Sequence, residues 1–198
     1  MPRAFSEREK VSIRAGLLNA GRDTLIRVGM HKTGVDDLTR AAHISKGAFY
    51  QFFPSKEALF ITLFAEGERG YRGQLREFAA RAGPTPRARL LAFFQDALRC
   101  YRDTLLLLNK LSGDDMSALI RALTPGGMRA ATSDEEAFVA ELFEIWRRDG
   151  IKINCAPAQF SALMQMVMLT DLYVHDLGEA NAFAVDFMLE ALANQLTQ

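Results

Sequence analysis

The chain of 198 residues is predicted to be all-α, with about nine helices arranged as an N-terminal helix-turn-helix head on a helical body. Three observations carry that expectation. Apolar residues recur at three- and four-residue spacing along most of the chain. Ser or Thr stands three residues ahead of Glu or Asp at several points where such runs begin, which is the spacing of a capping box. No segment alternates apolar and polar residues as a half-buried strand does.

Ser6 with Glu9 opens the first helix. Its apolar side is Leu17, Leu18, Ala20, Gly21, Leu25, Ile26 and Val28, and Gly29 fits the residue just past its end. Its cations Arg3, Arg8, Lys10 and Arg14 either reach backbone phosphates or are simply solvated. Thr33 with Asp36 has capping-box spacing ahead of a short helix from about Val35 to Ala42. His43-Ile44-Ser45 is then a turn, and Ser45 is a good N-cap for a second short helix, Lys46–Phe53, stopped by Pro54. A longer helix follows from Ser55 to about Arg81, with Leu59, Phe60, Leu63 and Phe64 on its apolar side. Gly67, Gly70 and Gly73 each weaken it by roughly 1 kcal/mol relative to Ala. They supply either compliance or room for close packing.

Gly83-Pro84-Thr85-Pro86 is the clearest break, with Thr85 as cap and Pro86 in the first turn of a helix to about Thr104. The segment 105–132 is less regular, with a short helix near Met116–Leu123 and a loop at Thr124-Pro125-Gly126-Gly127. Ser133 with Glu136 opens a helix ending at Gly150, Pro157 begins one reaching about Leu177, and Glu179–Gln195 is the last. The expected division is a head over residues 1–60 and a body over 61–198.

Apolar residues make up 49% and charged residues 24%, the balance of a soluble globular protein. No run of 18 apolar residues exists to span a membrane, and the start MPRAFSEREK lacks an apolar signal segment, so a cytoplasmic location is expected. Cys100 and Cys155 have no metal-ligand spacing and read as two small half-buried hydrophobes. Net charge is zero, yet residues 1–56 hold 10 Lys and Arg against 5 Asp and Glu, while residues 57–198 hold 14 against 19. A basic head on an acidic remainder is the asymmetry of a nucleic-acid-binding module attached to a body with another task.

Two short helices joined by a tight turn follow the helix-turn-helix plan, in which the second helix enters the major groove. Its residues suit that position. Gly47 and Ala48 allow close approach, and Ala48 fits a thymine methyl. Gln51 can pair bidentately with adenine. Lys46, Tyr50 and Lys56 suit phosphate oxygens. The order Ile44-Ser45-Lys46-Gly47-Ala48-Phe49-Tyr50-Gln51-Phe52-Phe53-Pro54-Ser55-Lys56-Glu57-Ala58-Leu59 closely resembles the DNA-binding signature of TetR-family transcriptional regulators. The match covers roughly Leu17–Phe64 at motif level and the rest by helix order.

The resemblance implies backbone contacts from Thr33, Lys46, Tyr50 and Lys56, and base-facing positions at Gly47, Ala48 and Gln51, with Ser45 at the same helix start. Phe49 and Phe53 match core positions. It also implies a dimer built on the last two helices and a small-molecule pocket in the body. Three departures stand out. His43 occupies a turn position where the family often has Gly, which puts a non-Gly residue near the left-handed region. Gly34 replaces a frequent hydroxyl residue, and Phe52 stands where His or Tyr is common.

In the body, Phe94, Leu98, Tyr101, Met116, Ile120, Trp146, Met164, Met168 and Asp171 are candidate pocket residues, with ordinary core packing as the plainer reading of each apolar one. Asp171 and His175 lie one helical turn apart, but with no third ligand in view they read as a buried salt link or a dimer contact rather than a metal site. The last two helices are apolar almost all round and need cover on both sides, which a homodimer provides. The expected partners are therefore an operator in double-stranded DNA, an unidentified small molecule and a second copy of the chain. No cofactor, no metal and no catalytic residue is expected. The functional expectation is a repressor released by its ligand. The rivals are an activator or ligand-independent DNA-binding protein of the same fold, or a small helical enzyme or carrier.

Overall fold

The computed structural model describes residues 5–108, 125–174 and 179–197. Among them are eight α-helices and no strand: α1 Glu7–Val28, α2 Val35–Ala41, α3 Lys46–Phe52, α4 Lys56–Ala80, α5 Pro86–Leu108, α6 Pro125–Arg148, α7 Pro157–Val174 and α8 Glu179–Leu196. Met116, Ile120 and His175, with the short helix expected near Met116–Leu123, lie outside the described residues.

Local chemistry starts and stops most of these helices where the sequence places it. Ser6 Oγ accepts from the Glu9 amide at 3.3 Å while the Glu9 carboxylate accepts from the Ser6 amide at 2.8 Å, a complete capping box. Ser55 and Thr85 accept from the amides of Ala58 and Ala88 at 3.2 and 3.1 Å. Gly29 and Gly150 follow α1 and α6 at φ 81° and 78°, values that glycine adopts without a Cβ clash.

Two expected starts are corrected. Asp37, not Asp36, closes the start of α2, its carboxylate accepting from the Gly34 amide at 3.1 Å. The Thr33 hydroxyl instead donates to the Gly29 carbonyl at 2.7 Å. In the body, α6 runs unbroken from Pro125, so Pro125, Gly126 and Gly127 are helical and Ser133 lies inside the helix rather than capping it.

The chain divides into two compact units, with the change falling inside α4 between Arg69 and Gly70. In the first unit, Leu17, Leu18 and Leu25 of α1, Leu38 of α2, Phe49 and Phe53 around α3, and Leu59, Phe60 and Leu63 of α4 form one core. A Cβ on Gly21 would sit 2.6 Å from Leu59 Cδ2, so glycine there lets α1 approach α4 closely. Ile26 and Val28, expected on the apolar side of α1, are 49% and 42% exposed.

The second unit, drawn from Gly70–Asp103 and Pro125 onward, packs α6 on α7 and α7 on α8. At its centre Trp146 lies edge-on to Phe93 at 4.9 Å and beside Phe160 at 5.7 Å. Arg76 binds Glu141 through two hydrogen bonds of 2.7 and 2.9 Å, which holds that carboxyl below the usual range. Its guanidinium also lies 4.9 Å from the centre of the Phe138 ring. A Cβ on Gly67, Gly70 or Gly73 would meet no neighbour within 4 Å, so close packing does not account for the three glycines of α4.

Candidate nucleic-acid interface

Helix α3 has seven residues, too few to be stable alone, and its placement comes from its neighbours. The Ser45 hydroxyl accepts from the Ala48 amide at 3.1 Å and fixes its start. The preceding turn is closed by the Ile44 amide on the Thr39 carbonyl at 3.0 Å and the His43 amide on the Arg40 carbonyl at 3.3 Å. His43 itself adopts φ 53°, the left-handed conformation the departure from glycine implies. Phe49 is fully buried and anchors the helix in the core of the first unit.

With Ala48 and Phe49 inward, the outward row is Lys46, Gly47, Tyr50 and Gln51, the one-and-four spacing of a single helical stripe. Tyr50 is half exposed and its ring sits edge-on to Phe49 at 5.4 Å. Gln51 borders a shallow depression shared with Lys10, Val11, Arg14 and Phe52. Ser45 is also exposed beside this row. A short stripe of one lysine, one glycine, one tyrosine and one glutamine on a rigid anchor offers charge, close approach and amide hydrogen bonding on one face.

Three expected contacts sit differently. Ala48 is only 8% exposed, because the position next to Phe49 turns toward the core, so no methyl is presented to a base. Thr33 is 1% exposed and its hydroxyl is committed to Gly29, which makes it part of the turn rather than an open contact. Lys56 is half-buried, and its ammonium donates to the carbonyls of Met30, His31 and Thr33 at 3.1, 3.3 and 3.1 Å. An ammonium has three protons, so all of its donors are used in fastening the α1–α2 connection to the start of α4. Lys56→Met is expected to lower the stability of the first unit by about 1–2 kcal/mol, read as a drop in its thermal midpoint. The salt dependence of DNA binding, measured on the folded variant, is expected to stay as in the wild type. A flatter slope would return Lys56 to the phosphate contacts.

On α1, Arg14 binds Glu66 at 3.0 Å and covers the Phe53 ring at 5.6 Å, so it braces α1 against α4. Lys10 pairs with Glu7 at 2.7 Å. Phe5 packs against Phe52 with ring centres 6.0 Å apart, a contact between the start of the chain and α3 that sequence spacing gives no sign of.

In the second unit, the candidate pocket residues Phe94, Leu98, Trp146, Met164 and Met168 are all buried members of one core. The buried indole N–H of Trp146 meets no hydrogen-bond acceptor among the described residues. Tyr101 is half-buried, and its ring lies 5.9 Å from that of Tyr71. Burial pushes both phenols up from their ordinary value, most strongly at Tyr71, so both stay neutral. Asp171 is 3% exposed and takes two hydrogen bonds from the Arg102 guanidinium at 2.7 and 2.5 Å. The buried salt link of Asp171 therefore runs to Arg102, while His175, expected to act with it, lies outside the described residues. No group of three metal-ligating side chains occurs among the described residues. Cys100 is buried, with its thiol donating to Gln74 Oε1 at 2.5 Å, and Cys155 is half-buried; neither is in a disulfide among the described residues.

Comparison with known proteins bears on the helix-turn-helix region and on the fold. Residues 17–63 match the model of the bacterial regulatory proteins of the tetR family. The HTH-type transcriptional repressor NemR of Escherichia coli K12 is 30% identical over 122 residues, which is 59% of this chain and 61% of NemR. The HTH-type transcriptional regulator RutR of the same strain is 28% identical over 143 residues, 70% of this chain and 63% of RutR. The chain thus spans less than two thirds of these curated relatives. The crystal structure of reduced E. coli NemR covers 94% of the chain with a TM-score of 0.64 at 22% identity. A putative TetR-family regulator from Mesorhizobium loti also covers 94%, with a TM-score of 0.66 at 18% identity. At those identities the structures speak for the fold alone. The matched helix-turn-helix model, the named relatives and the shared all-helical fold agree: residues 17–63 carry the tetR-family model, and the chain is similar to TetR-family transcriptional regulators in sequence and in fold.

Proposed function

We propose that this chain is a ligand-responsive DNA-binding repressor and carries out no catalysis. The observation that carries the reading is the exposed stripe Lys46, Gly47, Tyr50 and Gln51 on a helix whose other side is locked into the core by Phe49. Such a helix can enter the major groove without rearranging, with Lys46 and Tyr50 against phosphates and Gln51 against base edges. The kinship with NemR, whose name describes a repressor, supports the sign of regulation.

The active species in this reading is a homodimer through α7 and α8, whose two-fold axis matches a palindromic operator. An apolar effector binds in the second unit around Trp146 and Tyr101, the former offering an unsatisfied N–H and the latter a neutral hydroxyl. Effector binding weakens DNA affinity by the coupling energy, about 1–3 kcal/mol or roughly 5–150-fold.

The test is titration of the protein against duplexes taken from the DNA flanking its own coding sequence, beside a mixed-sequence duplex. The expected result is tighter binding to one flanking duplex and a steep fall with salt on both. Failure to bind either at about 50 mM salt would remove the DNA-binding reading. Gln51→Ala is expected to relax base preference at one position of each half-site by about 1–3 kcal/mol. A uniform loss over all sequences would contradict a base-facing role for Gln51.

A further inference from the structure

Each cation carried by α2 and α3 faces an acid from the first turn of α2. Arg40 lies 3.4 Å from Asp37, and the Lys46 ammonium lies 3.3 and 3.4 Å from the two oxygens of Asp36. Those four side chains are the only charged ones in the two helices, so the pair is neutral just where a DNA backbone would meet it. The two aspartates differ in their work. Asp37 also holds the Gly34 amide and starts α2. The carboxylate of Asp36 is spent on Lys46, the first residue of α3, across an exposed gap with both partners more than half accessible.

We propose that Asp36 is a built-in competitor for DNA phosphate, its carboxylate pairing with the Lys46 ammonium as a phosphate would and thereby setting the affinity of the interface. The proposal rests on the DNA-binding reading of α3. A carboxylate and a phosphodiester each offer anionic oxygens to an ammonium at the same distances, so DNA phosphate competes with Asp36 for the charge of Lys46. Binding then leaves the released carboxylate facing a polyanion and in need of a cation. This partly cancels the counterion release that makes phosphate contacts favourable. Exposed pairs of this kind are weak, so the device trims affinity without blocking it. Asp36 has no amide to cap, so it can be changed without removing the start of α2.

The experiment uses the full chain and a fluorescein-labelled, mixed-sequence duplex, because sequence-independent binding isolates the phosphate contribution. Asp36→Asn is expected to tighten binding about 1.5- to 5-fold at low salt and to steepen the dependence of affinity on salt. Asp36→Ser is expected to repeat the gain, which separates it from any property of the amide. In a Lys46→Met background the gain is expected to shrink to the part that is plain repulsion between Asp36 and DNA. Unchanged or weaker binding by Asp36→Asn would overturn the proposal, as would a gain undiminished by Lys46→Met, since all of it would then be that repulsion. If the wild-type chain and all variants fail to bind the duplex, the DNA-binding reading itself falls, and the competitor with it.

Discussion

Phe49→Ala unfolds the first unit and leaves the second folded. The ring is fully buried where α3 meets α1 and α4, in contact distance of Tyr50 and Phe53, and truncating such a residue costs about 3–5 kcal/mol in lost burial and residual cavity. A unit of this size holds only about 3–10 kcal/mol of stability, so the loss takes a large part of it or all of it. The same cost in the larger second unit would not be felt, because Phe49 belongs to a separate core.

The chain provides its own reporter for this. Trp146 is the only tryptophan, and it lies in the core of the second unit. Urea unfolding of Phe49→Ala followed by tryptophan fluorescence is expected to overlay the wild type. The same titration followed by far-ultraviolet circular dichroism is expected to gain an early transition from loss of α1, α2 and α3. Equal shifts of both curves would mean that the two units unfold as one and would defeat the prediction. Because α3 depends on Phe49 for its position, DNA affinity is expected to fall with the folded fraction of the first unit.

The contrast between Phe49 and Lys56 shows which parts of this molecule are legible in sequence. Phe49 lies inside a short helix whose ends are set by Ser45 and Pro54, and its inward position follows from the family resemblance of that helix. The caps at Ser6, Ser55 and Thr85 and the left-handed His43 are legible because each depends on residues within four positions of itself. Lys56 depends on carbonyls more than twenty residues earlier, and no spacing rule connects a lysine to a loop on the far side of two helices.

Thr33 fails differently. Both Thr33–Asp36 and Gly34–Asp37 have the spacing of a cap, and the choice is made by the Gly29 carbonyl, which offers the Thr33 hydroxyl a buried partner. Ser133 fails because a cap pattern is only permissive. The residues ahead of it are helix formers such as Met128, Arg129 and Ala131, so the helix runs through the site. Ala48 shows the limit of chemistry-first reading. Its small size suits a base contact, but the register set by Phe49 turns it inward.

Phe183→Asp combined with Phe187→Asp converts the chain to a monomer that folds but does not hold an operator. The two rings stack 6.2 Å apart on α8 with 71% and 64% of their surface exposed. Beside them α7 presents Met166 at 61% exposure, Leu169 at 46% and Leu163 at 37%. Phe187 also lines an apolar groove with Met166, Val167, Met188 and Ala191. Large apolar side chains left this open, and contiguous over two helices, mark an interaction surface. No described helix is long and apolar enough to cross a membrane, and a second copy of the same two helices offers matching apolar cover.

Burying one phenylalanine contributes about 1.5–3 kcal/mol, and an isologous interface counts each substitution twice. Losing four rings and burying four carboxylates would therefore weaken dimerisation by well over 5 kcal/mol, or more than about a thousandfold. Light scattering behind a sizing column is expected to give a dimer for the wild type and a monomer for the variant at about micromolar concentration. Both side chains are exposed in the single chain, so its helix content and Trp146 fluorescence are expected to match the wild type. Operator affinity is expected to collapse together with the dimer, because one helix-turn-helix unit engages only one half-site. A variant that stays dimeric would place the interface elsewhere, and a monomeric wild type would leave the two phenylalanines needing a different partner.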